Sequence, residues 1–360
     1  MTGYIHYSDD LESVPSGETE TINDILVSMR RLFERTHEKF GEAMRVSHAK
    51  AHGAAVGEMI VLDELPEPFA QGVFRPGAHY PVIARLANVP GELDSDHVGT
   101  QRGFSFKILG VQGEMLPDHA GQSTQDFVLD SGNRFAAANA SQFLMNHRLL
   151  EHAPQMPDSL KAAVSTASRA TNAALHAAGG DSAMLDFFGH SRIHPLAEAY
   201  FTQAPIRYGS YVAKLAVVPV SQAQQALAQT DVDKDDPDAL RTATVRYLRD
   251  HDAEFDVRVQ LCTDLDAMPI EDASKEWPED QSPYVTVAKL RLPRQEAFSA
   301  GRRAFVDGLS FCVSHSLAAH RPLGSIMRAR LRAYPEMSRL RREANGVSLA
   351  EPTSVNDVPA

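Results

Sequence analysis

RLRAYP, residues 330–335, decides the reading of this chain; it lies inside the basic segment HRPLGSIMRARLRAYPEMSRLRR, residues 320–342. On residue types alone the segment is a solvated, arginine-rich helix. Helical geometry makes it more particular. At about 100° per residue, Arg330, Tyr334 and Arg341 fall within an arc of roughly 40° on a continuous helix. Pro335 weakens that estimate for Arg341 by kinking the helix, but it leaves the i, i+4 pair Arg330 and Tyr334 intact.

Around this segment the composition is that of a soluble globular protein. The chain has 360 residues, 43% of them hydrophobic and 23% charged, with a formal net charge of −12. That length allows one large domain or two ordinary ones. The negative surface repels nucleic acid and anionic membranes, so neither is expected as a partner. Cys262 and Cys312 stand far apart in no CxxC or zinc-like spacing, which argues against a disulfide framework and for a reducing compartment. MTGYIHYSDD, residues 1–10, shows no basic segment followed by an apolar run, and no stretch of about 18 apolar residues occurs. The expectation is a cytoplasmic protein without a membrane span.

Residues 1–21 read as a polar arm. From Ile22 to Phe40 the apolar positions Ile22, Ile25, Leu26, Met29, Leu32, Phe33 and Phe40 keep a helical rhythm. Strand signals follow at Pro81–Leu86, Phe104–Leu109 and Asp126–Leu129, bounded by Gly, Pro, Asn and Asp. Residues 140–190 read as helices broken at Pro154, Pro157 and Gly179–Gly180. Strands return at Tyr208–Val220, at Asp256–Cys262 with Val257, Val259 and Leu261 on one face, and at Tyr284–Leu292. Helical patterns run from Arg294 to Gly346, and residues 347–360 read as a tail. Strands in two blocks, with helices between and after, make the class α+β.

Several familiar sites fail. DVDKDDPDA, residues 231–239, resembles a calcium loop, but Asp236 and Thr242 stand where its glycine and glutamate belong, so it reads as a solvated loop. His48 and His52 in HAKAH would share a helix face as zinc pairs do, yet the glutamate of HExxH is missing. No GxSxG elbow, GxxxxGK loop or strand-borne GxGxxG occurs. The pair Arg330 and Tyr334, in contrast, has a use. Free tyrosine has a pKa near 10. A neighbouring guanidinium and a ferric ion both favour the phenolate, and an anionic oxygen ligand stabilises ferric iron. A further arginine one or two turns away could neutralise a carboxylate of a porphyrin.

RLRAYP (330–335) also resembles the RLxxYP signature that carries the iron-ligating tyrosine of catalases. RVSHAKAHGAAVG (45–57) is similar to the catalase segment with the distal histidine, VIARLANV (82–89) to the strand whose arginine meets a haem propionate, and QRGFSFK (101–107) to PRGFAVK. RYGSYVAK (207–214) and ASKEWPEDQSPYVTVAKL (273–290) resemble further catalase segments, in order along nearly the whole chain. The resemblance implies an eight-stranded antiparallel β-barrel with haem b (Fe-protoporphyrin IX) buried between barrel and helices, in a haem domain of residues 22–346. It implies Tyr334 as the iron ligand beside Arg330, and His48 as the distal acid–base. It further implies Arg45, Arg85 and Arg341 on the propionates, with Phe135 and Phe143 lining the distal pocket.

The pattern departs from that of typical catalases. The chain is short and resembles the small catalase-related haem proteins of bacteria. Alignment of QDFVLDSGNRF (125–135) puts Ser131 at the position of the distal asparagine, with Asn133 two residues on as the other candidate. Ala87 replaces a serine that bonds the distal histidine, and Ser47 could supply that bond locally. A residue of this kind before the histidine also resembles allene oxide synthases. The altered distal set implies a peroxidase for hydrogen peroxide or organic hydroperoxides, with weak or no catalase turnover. A fatty-acid hydroperoxide isomerase or lyase and a non-catalytic haem-binding protein are the alternatives. The sequence leaves open whether the protein forms a homo-oligomer.

Overall fold

Alternation of apolar and polar residues gives the strands one dry face, and the chain closes that face on itself. The computed structural model describes residues 3–180, 182–229, 232–233, 235–349 and 351–360. Among the described residues nine strands form one antiparallel sheet: β1 (Ala51–Val61), β2 (His79–Asn88), β3 (Arg102–Leu109), β4 (Thr124–Ser131), β5 (Tyr200–Phe201), β6 (Ile206–Tyr208), β7 (Tyr211–Pro219), β8 (Ala253–Leu261) and β9 (Val285–Leu292). The short β5 pairs with β4 on one side and β7 on the other, which closes an eight-stranded barrel, while β6 pairs with β7 outside the ring. Closure removes the exposed edges that an open sheet would carry.

Inward-facing Phe104, Phe106, Phe127, Tyr200 and Phe255 fill the barrel. Phe104 lies 5.4 Å from both Tyr200 and Phe255, and Phe106 lies 5.3 Å from Phe127. Val257, Val259 and Leu261 share the buried interior face of β8, as their alternation requires. The helices lie around this core: α1 (Glu18–Phe40), α2 (Ala140–Leu150), α3 (Asp158–Ala177), α4 (Ala183–Gly189), α5 (Gln222–Leu227), α6 (Ala239–Asp250), α7 (Ala300–Gly308) and α8 (Ser325–Asn345). Pro157 sits immediately before α3, which ends before Gly179, so the helix breaks fall where Pro and Gly place them.

Three parts differ from the sequence reading. β1 is rich in alanine and glycine and gave no strand signal. It is a strand because its neighbours approach closely: a Cβ on Gly57 would lie 2.2 Å from the Arg291 carbonyl oxygen on β9. His52 is therefore on a strand, bonded through Nε2 to Asn88 Oδ1 at 2.8 Å, and shares no helix face with His48. The arm at 3–16 packs down, with Ile5, Tyr7 and Leu11 against the cluster around Trp277. The tail packs down as well: Val358 joins Ile83, Leu109 and Leu309, and Glu351 pairs with buried Lys107 at 2.8 Å. Asp231 and Lys234 of the 231–239 run lie outside the described residues; the run leads into α6.

Candidate active site

The barrel's outer face supplies one wall of a cavity. Cross-strand register aligns Arg85 on β2, Ser105 on β3 and Val128 on β4 in one row, with Ala87, Gly103 and Asp130 in the next. Facing this wall are Ala333, Tyr334, Met337, Ser338 and Arg341 of α8, and Met29 of α1. Arg45, Val46, Ser47 and His48 close one side, and Ser310 and Phe311 another. The cleft is open to one side, and the space among these residues, counted out to its mouth, is about 670 Å³.

Helix α8 runs unbroken through Pro335, so Tyr334 and Arg341 do share one face and one cavity. Arg330 Nη2 donates to the Tyr334 hydroxyl at 2.8 Å, and its guanidinium lies 5.1 Å from the tyrosine ring centroid. Burial raises the Tyr334 pKa above its ordinary value, while Arg330 pulls it down. The guanidinium alone therefore leaves the phenol protonated at neutral pH; an additional cation is needed to ionise it.

The arginines form a cluster with little negative charge to answer it. Arg45 donates from Nη2 to the carbonyls of Val306 and Leu309, each at 2.7 Å, and Nη1 lies 3.4 Å from Asp307. Arg341 donates to the carbonyls of Asp307 and Leu309, at the C-terminal end of α7. Arg85 Nη2 reaches the His48 carbonyl at 2.8 Å, but its buried Nε has no hydrogen-bond partner among the described residues. Burial and the neighbouring Arg45 depress Arg341 to about 8, and burial and Arg45 also hold Arg85 well below its usual value. Such a cluster favours an anion.

His48 stands at the rim in the left-handed region, at φ 58°, a conformation that costs a non-glycine residue free energy and gathers at functional positions. Its N–H donates to the Val89 carbonyl at 2.7 Å, and Arg85 ties down its carbonyl. The ring lies on Gly103, where a Cβ would come within 2.4 Å of Nδ1. Nε2 is 3.4 Å from Asp130 Oδ1. Burial, then Arg85, lowers the imidazole pKa to about 3, so His48 is neutral at pH 7.

Not every residue singled out from the sequence faces this cavity. Ser131 follows Asp130 on β4, so alternation turns it to the other side, where its Oγ accepts from the Arg102 N–H at 3.0 Å. Gly132, at φ 101°, ends the strand, so Asn133 does not continue its alternation and instead donates to Glu276 at 2.5 Å. Ser47 lines the cavity, yet its hydroxyl donates to the Val89 carbonyl at 3.0 Å rather than to the imidazole. Phe135 and Phe143 pack on each other at 5.7 Å, and neither reaches the cavity wall. Asp130 and Gly103 were missed. Once Val128 is known to face outward, alternation assigns Asp130 to the same face; the sequence did not say which face of β4 was outside.

These residues fit a haem. A hydroxyl paired with a guanidinium faces the cavity, the unpartnered Arg85 Nε and its two neighbouring arginines suit carboxylates, and Met29, Val46, Val128, Phe311 and Met337 supply apolar surface. The class is thus a closed antiparallel barrel carrying a cavity suited to haem on its outer face. The family model described as Catalase matches residues 6–356, and the chain belongs to the catalase family. That membership implies a haem cofactor.

Among solved structures, a fungal catalase is similar at TM-score 0.60 and 17% identity, with 84% of this chain and 60% of that chain covered. A bacterial catalase gives 0.58 and 15%, covering 96% and 68%. Catalase A from Saccharomyces cerevisiae gives 0.56 and 15%, covering 99% and 74%. The match thus takes in only 60% of the fungal catalase's length, and these likenesses speak for the fold. No curated protein matches the chain. Among the described residues no helix is long and apolar enough to cross a membrane.

Proposed function

We propose that this protein is a haem b peroxidase that reacts with hydrogen peroxide or organic hydroperoxides and dismutates hydrogen peroxide weakly or not at all. One observation carries the reading: a single cavity gathers a tyrosine bonded to an arginine, three arginines of which Arg45 is paired with Asp307, and a conformationally strained histidine. Bound there, haem would supply a ferric centre that accepts the oxidising equivalents of a peroxide. The Tyr334 oxygen would hold it, with Arg330 favouring the phenolate. Arg45, Arg85 and Arg341 would hold its carboxylates. His48 Nε2 would move a proton between the peroxide oxygens, since the neutral imidazole can accept one and return it.

Weak dismutation is supported by the partner of His48. Asp130 is a carboxylate, which accepts hydrogen bonds when ionised and cannot donate one to a peroxide oxygen as an amide could. Handling two peroxides in succession depends on such placement. The free thiols of Cys262 and Cys312 support a reducing, cytoplasmic setting.

The test is the absorption spectrum of purified protein before and after peroxide, followed by three assays. Guaiacol oxidation exceeding oxygen evolution bears out the reading. Rapid oxygen evolution overturns its weak-dismutation part. Consumption of a lipid hydroperoxide without reductant replaces it with an isomerase or lyase. Haem without any of these leaves a binding protein.

A further inference from the structure

We propose that residues 351–359 form a strap that sets Arg45 and Arg341 for the carboxylates of haem. The inference rests on the haem reading above and adds positioning residues outside the cavity to it. The link is Leu309, which follows α7. Its carbonyl accepts from Arg45 Nη2 at 2.7 Å and from Arg341 Nη2 at 3.2 Å, and both arginines line the cavity. Ser310 and Phe311, the next two residues, line it as well. The strap grips this segment at two places. At one, the Val358 side chain packs in a cluster with Leu309, against which Val355 and Phe311 also lie. At the other, Glu351 lies 2.8 Å from Lys107, and Lys107 lies 2.7 Å from Asp126, whose Oδ2 accepts from the Cys312 N–H at 2.8 Å. Both Lys107 and Asp126 are buried.

Residues 309–312 belong to no helix or strand. Their place is therefore set by side-chain contacts and single hydrogen bonds rather than by a ladder of backbone bonds. The same holds one step back along the chain. Arg302 on α7 donates to the Pro359 carbonyl at 3.0 Å, and the end of that helix offers the carbonyls of Val306 and Asp307 to Arg45 and Arg341. A guanidinium meets a carboxylate with two parallel bonds only when its fork is correctly turned, so the groups that hold it from behind decide its use. Releasing the strap leaves Arg45 and Arg341 at the cavity but frees their guanidinia to turn. Haem then loses the share of its affinity that comes from the carboxylates, while the contribution of Tyr334 remains.

Haemin and its dimethyl ester separate the two contributions, because the ester keeps the iron and lacks the free carboxylates. In absorbance titrations the wild type should hold haemin about 100-fold more tightly than the ester. In the double variant Glu351→Ala, Val358→Asp that preference should shrink to about tenfold, with the spectrum of bound haemin unchanged. Val358→Ala, the milder change should the double variant fail to fold, should narrow the preference about threefold. Arg328→Ala weakens the fold away from the strap and should keep the wild-type preference. Wild-type preference in the strap variants that fold overturns this proposal alone, as does an equal loss in Arg328→Ala. A wild type that binds haemin and ester equally overturns the assignment of the arginines to haem carboxylates, and this inference with it. A wild type that binds neither overturns the haem reading itself.

Discussion

Arg328 and Arg341 stand on one helix, and their surroundings are opposite. Arg328 is bonded to Glu18 and Glu12, each at 2.7 Å, and to Glu271 at 2.8 Å. Although burial opposes it, Glu18, Glu271 and Glu12 hold its guanidinium above the ordinary value. Arg341 meets backbone carbonyls and two more arginines, and burial with Arg45 pulls it down to about 8. A cation surrounded by carboxylates is complete in itself and ties the N-terminal arm to α8. Cations that share one carboxylate await an anion. Compensation of charge, more than the presence of charge, separates the structural end of α8 from the functional one.

The largest effect that could break this contrast belongs to Tyr334→Phe. It should abolish haem retention and shift the absorption spectrum; a normal haem content would remove Tyr334 as the ligand. His48→Ala should keep haem while peroxide cleavage falls about 10²- to 10⁴-fold, read by stopped-flow absorbance. Gly103→Ala puts a methyl group 2.4 Å from His48 Nδ1 and 3.2 Å from Asp130 Oδ1. Haem content should stay normal and the peroxide rate should drop by roughly tenfold; an unchanged rate would show that the ring position is immaterial.

The structural end should respond in another currency of measurement. Arg328→Ala leaves three carboxylates facing one another and should cost on the order of 3 kcal/mol in urea unfolding, with the haem spectrum and peroxide rate unaltered.

Local periodicity made much of the fold readable. The strands β2, β3, β4, β8 and β9 and the helices α1 and α3 arise from alternation, helical spacing and Pro or Gly stops that act within a few residues. β1 escaped because its small residues answer to the closeness of β9, a contact distant in sequence. The arm and the tail escaped for the same reason: polar composition describes them in isolation, while Ile5, Tyr7 and Val358 find apolar partners only once the barrel exists.

The site divides in the same way. Residue order alone determined that Arg330 and Tyr334 are neighbours, because a helix fixes that relation internally, whereas the unbroken course of α8 through Pro335 brought Arg341 to the same cavity as Tyr334. Which face of β4 looks outward depends on how eight strands close, and one step of alternation exchanges Ser131 for Asp130. Only the closed barrel brings that carboxylate to His48, since nothing local in either segment encodes the distance between them.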